Sequence, residues 1–115
     1  MKTIAPSSAP HYTWGSDCDG WMLVDTPALS VIEERMPPNA GERLHRHHLA
    51  QQFFRILEGE AVMELTDAQV TLRAGEGISI PATVPHRIRN VSSAAVRFLV
   101  ISQPTTRDGD REDLE

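Results

Sequence analysis

The sequence holds one cysteine, Cys18, in 115 residues, so no disulfide can close within the chain, and a reducing compartment fits that usage. Long apolar runs are missing as well. The longest, such as Phe98 to Ile101, fall far short of the roughly 20 residues that a spanning helix needs. There is no excess of positive charge: 11 Lys+Arg against 16 Asp+Glu leave a net charge of -5, which repels phosphate backbones and anionic lipid surfaces. Nucleic acid and membrane are therefore not expected as partners. The first residues, Met1 to Ser8, carry a lysine but no apolar segment of signal-peptide length, and a cytoplasmic location is the expectation. No Gly-x-Ser-x-Gly elbow occurs, and Cys18 has no recognisable base beside it. No phosphate-cradling glycine loop precedes a helix; Gly75-Glu76-Gly77 reads as a strand turn whose Glu76 would repel phosphate. Nucleophilic catalysis and nucleotide chemistry are not indicated, and no stretch reads as an amphipathic helix.

What is present is a rhythm of short apolar-rich runs and turn signals. From Leu29 to Ser102 the turns fall at Pro37 to Gly41, Glu58-Gly59, Thr66 to Ala68, Ala74 to Gly77, Pro81 to Pro85 and Ser92-Ser93. Between them, runs such as Leu29 to Arg35, Glu60 to Leu65 and Ala95 to Ile101 are rich in β-branched and aromatic residues with imperfect two-residue alternation. Many short strands in an all-β chain normally close into a barrel or sandwich, because open edges would pair with other chains. At 12.8 kDa the chain fits one domain. The division expected is an N-terminal arm or edge strand over 1–28, a barrel over 29–102, and a polar C-terminal tail over 103–115 that is loosely held and carries no chemistry.

Three of the five histidines, His45, His47 and His48, sit within four residues just after a turn. On a strand the side-chain period is two, so His45 and His47 share one face while Arg46 and His48 take the other. A further histidine, His86, follows Pro81 and Pro85, whose fixed φ makes its approach rigid. Alone, each histidine is weak evidence of metal, since solvated and hydrogen-bonded histidines are the commoner case. Gln52 lies five residues past His47, with Gln51 as the competing candidate; shared parity with Phe54 and Ile56 favours Gln52.

The spacing resembles that of the cupin superfamily. Its first motif, Gly, five residues, His-x-His, three or four residues, Glu, six residues, Gly, is matched by Asn39, His45, His47, Gln52 and Gly59. Its second, Gly, five, Pro-x-Gly, two, His, three, Asn, is matched by Gly75, Pro81, Thr83, His86 and Asn90. The resemblance covers about half the chain, and the run Gln51 to Glu60 with Arg97 to Pro104 looks like small stand-alone bacterial cupins. It implies an all-β cupin double-stranded β-helix, a jelly-roll barrel, with one divalent transition metal ion (Mn, Fe, Ni, Co or Zn) on His45, His47, His86 and Gln52. Three positions depart from the motifs. Asn39 and Thr83 replace glycines at turns, and threonine, being β-branched, should resist positive φ there. Gln52 replaces a glutamate, so the ion would keep its full charge, bind less tightly and act as a stronger Lewis acid. Gln52 acting only through a hydrogen bond to a ligand imidazole or a bound water is the other reading, leaving a three-histidine site.

If these residues face inward, Phe54 and Ile56 continue their face, and Phe98 and Val100 join from a later strand to line a small, apolar pocket suited to a small organic molecule or dioxygen. Arg55, Arg87 and Arg89 should point outward, His11 is uninformative, and Asn90 is a turn-former. Two classes of function follow: a metal-dependent enzyme acting on a small molecule, either a dioxygenase or a Lewis-acid lyase or isomerase like the cupin hydroxynitrile lyases, or a non-catalytic metal-dependent binding or sensing module. No general acid or base is evident near the motifs. The resemblance also implies a homodimer, with Trp21 and Leu23 as candidate interface residues.

Overall fold

Alternation of inward and outward side chains organises every long strand of the molecule. The computed structural model describes residues 1–115 and consists of strands, with no helix. In chain order these are β1 (His11–Trp14), β2 (Cys18–Asp25), β3 (Ser30–Met36), β4 (His45–Arg46), β5 (Gln51–Glu58) and β6 (Glu60–Leu65). They continue as β7 (Gln69–Arg73), β8 (Gly77–Ile80), β9 (His86–Arg89), β10 (Val96–Gln103) and β11 (Glu112–Asp113). Two antiparallel sheets face each other, one in the order β1-β2-β3-β10-β5-β8 and the other β11-β4-β9-β6-β7. This is the expected jelly-roll barrel.

The registers grade the interior from oily to polar. Phe98 lies opposite Glu34 and Ile56, Val100 opposite Ile32 and Phe54, and Ser102 opposite Ser30 and Gln52. All of these side chains point inward because they share strand parity. The closed end is filled by Met36, Ile56, Met63, Ile88, Val96 and Phe98, each essentially free of solvent. Burying each of these larger side chains is worth about 1.5–3 kcal/mol. At the other end the buried residues are Ser30, Gln52, Ser102 and three histidines.

Both termini are built into the barrel. β1 and β2 continue the six-stranded sheet beyond β3 within the same chain. Residues 103–115, expected to be loosely held, instead return across the open end. Thr105 is buried with its N–H on Pro27 O, β11 pairs with β4, and Glu115 accepts from the Leu44 N–H at 2.8 Å. The tail has few apolar groups to bury, but its carboxylates satisfy backbone donors that the loops leave free, and polarity thereby becomes the source of its order.

The turn positions hold two outcomes. Asn39 adopts φ 69°, which asparagine tolerates, and Thr83 adopts φ 73° although β-branched. The turn at Thr83 thus keeps the left-handed geometry instead of departing from it. Its N–H donates to His47 O at 2.6 Å, tying the β8–β9 connection to the segment that directly follows β4.

Candidate metal centre

The strand period delivers the histidines as a set. His45 and His47 are buried and His48 is exposed, while the β4–β9 register places His45 directly opposite His86. The imidazole centroids lie 4.4 Å apart for His45 and His86, 5.0 Å for His45 and His47, and 5.6 Å for His47 and His86. One nitrogen from each ring falls within 4.8 Å of the others, so the three can hold a metal ion.

Each ring is oriented by a backbone carbonyl. Nδ1 of His45 lies 2.7 Å from Arg43 O, that of His47 2.5 Å from Asp110 O, and that of His86 2.9 Å from Val84 O. With Nδ1–H donated outward in all three, each Nε2 keeps its lone pair and turns it toward the interior. Burial holds the His45 and His86 rings down to a pKa of about 4, which keeps them neutral at physiological pH as metal ligation requires. Nε2 of His47 is buried and has no hydrogen-bond partner. A lone pair left unused inside a protein is costly unless a cation or a bound molecule takes it.

Gln52 completes the floor. Its Nε2 donates to Ser102 Oγ at 2.9 Å, which turns its Oε1 toward His86 Nε2 at 3.1 Å. In the tautomer that donates Nδ1–H to Val84 O both atoms are acceptors, and their separation is close to the ~3 Å between neighbouring donors around one ion with ~2.1 Å bonds. Phe54 packs edge-on against His86, with ring centroids 5.9 Å apart.

Above the histidines lies a cavity of about 250 Å³. His45, His47, Gln52, Val100 and Ser102 line it, as do Tyr12, Trp14, Ile32, Glu34, Glu42, Thr106, Arg107 and Arg111. Of the four pocket residues expected from sequence, Val100 lines the cavity; Phe54, Ile56 and Phe98 lie deeper, in the core that supports it. The cavity is also not apolar. Two carboxyls and two guanidiniums reach it from strands and loops whose share in the site no motif marks. Burial pushes both glutamates above the usual carboxylate range, Glu34 more strongly and with a further push from Glu42; the latter accepts from the Ile88 N–H at 3.2 Å. The Glu42 carboxyl stands 3.9 Å from His45 Nε2, beside a neutral ring's lone pair rather than in an ion pair.

The C-terminal segment contributes most of what sequence reading missed. It supplies Thr106, Arg107 and Arg111 to the wall and the Asp110 carbonyl to His47. The Asp110 carboxylate accepts the N–H groups of His48, Leu49 and Ala50, so it closes the loop between His47 and Gln52. Burial would raise its pKa, but those donors outweigh burial and lower it. Glu34 did leave a signal in the sequence: it shares strand parity with Ile32 and Met36, where an apolar residue is the norm.

The other residues singled out lie outside this cluster. Arg87 and Arg89 point away and pair with Glu64 at 2.6 and 2.7 Å, Arg55 is exposed, and His48 and His11 lie against Glu112 and Asp19 at 3.0 and 2.8 Å. Asn90 is buried and ties its turn together, donating to Met36 O and Ala94 O.

Comparison with known proteins bears on the family and the fold. A family model described as "Cupin domain" matches residues 32–102. The uncharacterized protein MJ1618 of Methanocaldococcus jannaschii is 31% identical over 86 residues, covering 75% of this chain and 69% of that protein. Among solved structures, a sugar phosphate isomerase of a cupin superfamily from Silicibacter pomeroyi superposes with a TM-score of 0.81 at 21% identity, covering 90% of this chain and 76% of that one. The polyketide cyclase RemF from Streptomyces resistomycificus gives 0.81 at 20% identity, covering 100% and 86%. At such identities the two structures show a shared fold alone.

Proposed function

The chain belongs to the cupin domain family, and from that premise we propose that it is a metal-dependent enzyme of small-molecule chemistry, with one divalent transition metal ion held by His45, His47, His86 and Gln52. The observation that carries the reading is the convergence of three buried imidazoles whose ligand nitrogens lie within 4.8 Å of one another, with His47 Nε2 buried and without a partner. The donor set suits Mn, Fe, Ni, Co or Zn, for which imidazole is a common ligand. Three neutral imidazoles and an amide leave the charge of such an ion unneutralised. When bound, the ion supplies Lewis-acid polarisation of a ligand oxygen.

The chain's own residues do the remaining work. Arg107 and Arg111 at the wall favour oxygen-rich or anionic ligands, and Val100 and Ile32 exclude water from one side. The Glu34 carboxyl, buried in the wall without an ion-pair partner, favours an enzyme over a binding module, because recognition alone gains little from an unpaired buried acid. The named activities of the structural relatives, sugar phosphate isomerisation and polyketide cyclisation, are compatible with a lyase or isomerase as well as with an oxygenase.

Elemental analysis of the protein purified without added metal tests the reading, beside His45→Ala and Gln52→Ala. Near-stoichiometric metal in the parent, its loss in His45→Ala, and an affinity lowered about 10–100-fold in Gln52→Ala are expected. A parent that takes up no metal after reconstitution overturns the metal centre; undiminished affinity in Gln52→Ala removes Gln52 from the ligand set.

We further propose a homodimer formed through the outer face of the six-stranded sheet. Phe53 is 37% exposed there and lies opposite Ile101, which in turn lies opposite Val31. Trp21, on the same face, is partly covered by the Arg97 guanidinium 4.7 Å from its ring.

A further inference from the structure

Three consecutive residues of β3 show what the fold does with its charges. Glu33, facing outward, is held by Arg97 at 2.8 Å, and Arg35, also outward, pairs with Asp19 at 3.2 Å. Glu34, between them, faces inward, is 8% exposed, and has no arginine, lysine or histidine partner. Its only side-chain hydrogen bond is from the Tyr12 hydroxyl, at 3.5 Å. An unpaired carboxyl among Ile32, Met36 and Phe98 works against the fold, and an apolar residue of similar size would serve the core better. Nothing in the packing explains its presence.

The approach of Tyr12 is built. Tyr12 on β1 lies opposite Gly20 on β2, and Gly20 lies opposite Glu34 on β3, so the three form one row across neighbouring strands. A Cβ at position 20 would come within 2.2 Å of the Tyr12 ring. The glycine empties the middle of the row, and the phenol ring crosses the strand through that gap to bring its hydroxyl to the carboxyl. Arg107, from the C-terminal segment, lies over the same ring at 5.9 Å. Tyr12 and Glu34 both line the cavity that His45, His47 and Gln52 line from another side.

We propose that Glu34 is the proton-transfer group of this cavity, with Tyr12 positioning it, and that the substrate is a small carbonyl compound bearing a C–H bond next to the carbonyl. The inference rests on the metal-centre reading for what holds the carbonyl oxygen. The Glu34 carboxylate takes the proton from that carbon. The C–H bonding pair becomes the C=C bond of an enolate as the carbonyl π pair moves onto oxygen. Returning the proton to the same carbon regenerates the substrate, and returning it to another position of a conjugated anion gives an isomer. Atoms and electrons balance without an oxidant or reductant. The raised basicity that burial confers on the Glu34 carboxylate suits it to the task. The site is thereby assigned to isomerase or lyase chemistry rather than oxygenation.

The test is deuterium incorporation into hydroxyacetone and into pyruvate in D2O, followed by proton NMR, with the metal-bearing protein and with metal content measured on the same sample. The parent is expected to exchange the protons next to the carbonyl of at least one probe about 100-fold faster than an equal concentration of free metal. Glu34→Gln is expected to lower kcat about 100-fold or more with KM within about threefold and metal content unchanged. Tyr12→Phe is expected to lower kcat about tenfold, and Gly20→Ala, which displaces the Tyr12 ring, to match it. A metal-bearing parent that exchanges neither probe, or a Glu34→Gln variant that keeps the parental rate, overturns the proposal while leaving the metal centre standing. A parent without metal brings down the metal-centre reading itself.

Discussion

The carboxyl of Glu34 is held well above its ordinary pKa, first by burial and then by the nearby Glu42 carboxyl. A folded-state value raised above the unfolded one contributes stability below the unfolded pKa and loses it as pH rises through the folded value. At neutral pH the residue therefore costs stability. Glu34→Gln should melt higher than the parent at pH 7 to 8, with the difference shrinking as pH falls toward 4.5; thermal melts of both proteins across that range check it. A parent that is the more stable at every pH would contradict the reading. Thr83 offers a second residue-scale prediction. Its φ of 73° costs a β-branched residue about 1–2 kcal/mol, whereas glycine meets no penalty there but gives the unfolded chain more freedom. Thr83→Gly should stabilise the protein by about 0.5–1 kcal/mol in urea unfolding, the reverse of what glycine does in a strand.

Among the elements, the C-terminal segment does most for the site while burying little. Its Asp110 holds the three backbone N–H groups of the loop that sets the distance from His47 to Gln52, and its carbonyl orients His47. Asp110→Ala should cost about 1–2 kcal/mol in stability and lower metal affinity about tenfold, both measured on the full chain. Asp110→Asn, which keeps one acceptor oxygen, should fall between. Equal metal affinity in all three proteins would show that the loop holds its shape without this cap. Sequence reading set the segment aside because apolar content was its criterion for order. The order comes from carboxylates meeting backbone donors, and that pairing spans some 60 residues of chain.

For the whole molecule, Val31, Ile101 and Phe53 form an apolar stripe on the outer face of the large sheet, and covering it is what the proposed dimer would gain. Light scattering should return twice the 12.8 kDa chain mass, and Phe53→Glu should return the monomer mass with the fold retained by circular dichroism. A parent of monomer mass would end the dimer reading.

Strand parity and motif spacing were enough to read the barrel, the inward histidines and the parity of Gln52, because a period of two is a local property of the backbone and two prolines and a few turn residues constrain the rest. The core positions of Phe54, Ile56 and Phe98 followed from the same parity, but their depth did not, since depth depends on where along a strand the cavity stops. Tyr12 and Glu34 were brought together by the register across β1, β2 and β3, and Arg107 and Asp110 joined the site through the return of the C-terminal segment. Tyr12 reaches Glu34 only because β1, β2 and β3 align with a glycine between them, and Asp110 reaches His47 only because β11 pairs with β4. Alternation within a strand belongs to the sequence; alignment between strands is set by the balance of packing over the whole barrel, and the cavity's acid, its cations and its strap all depend on that balance.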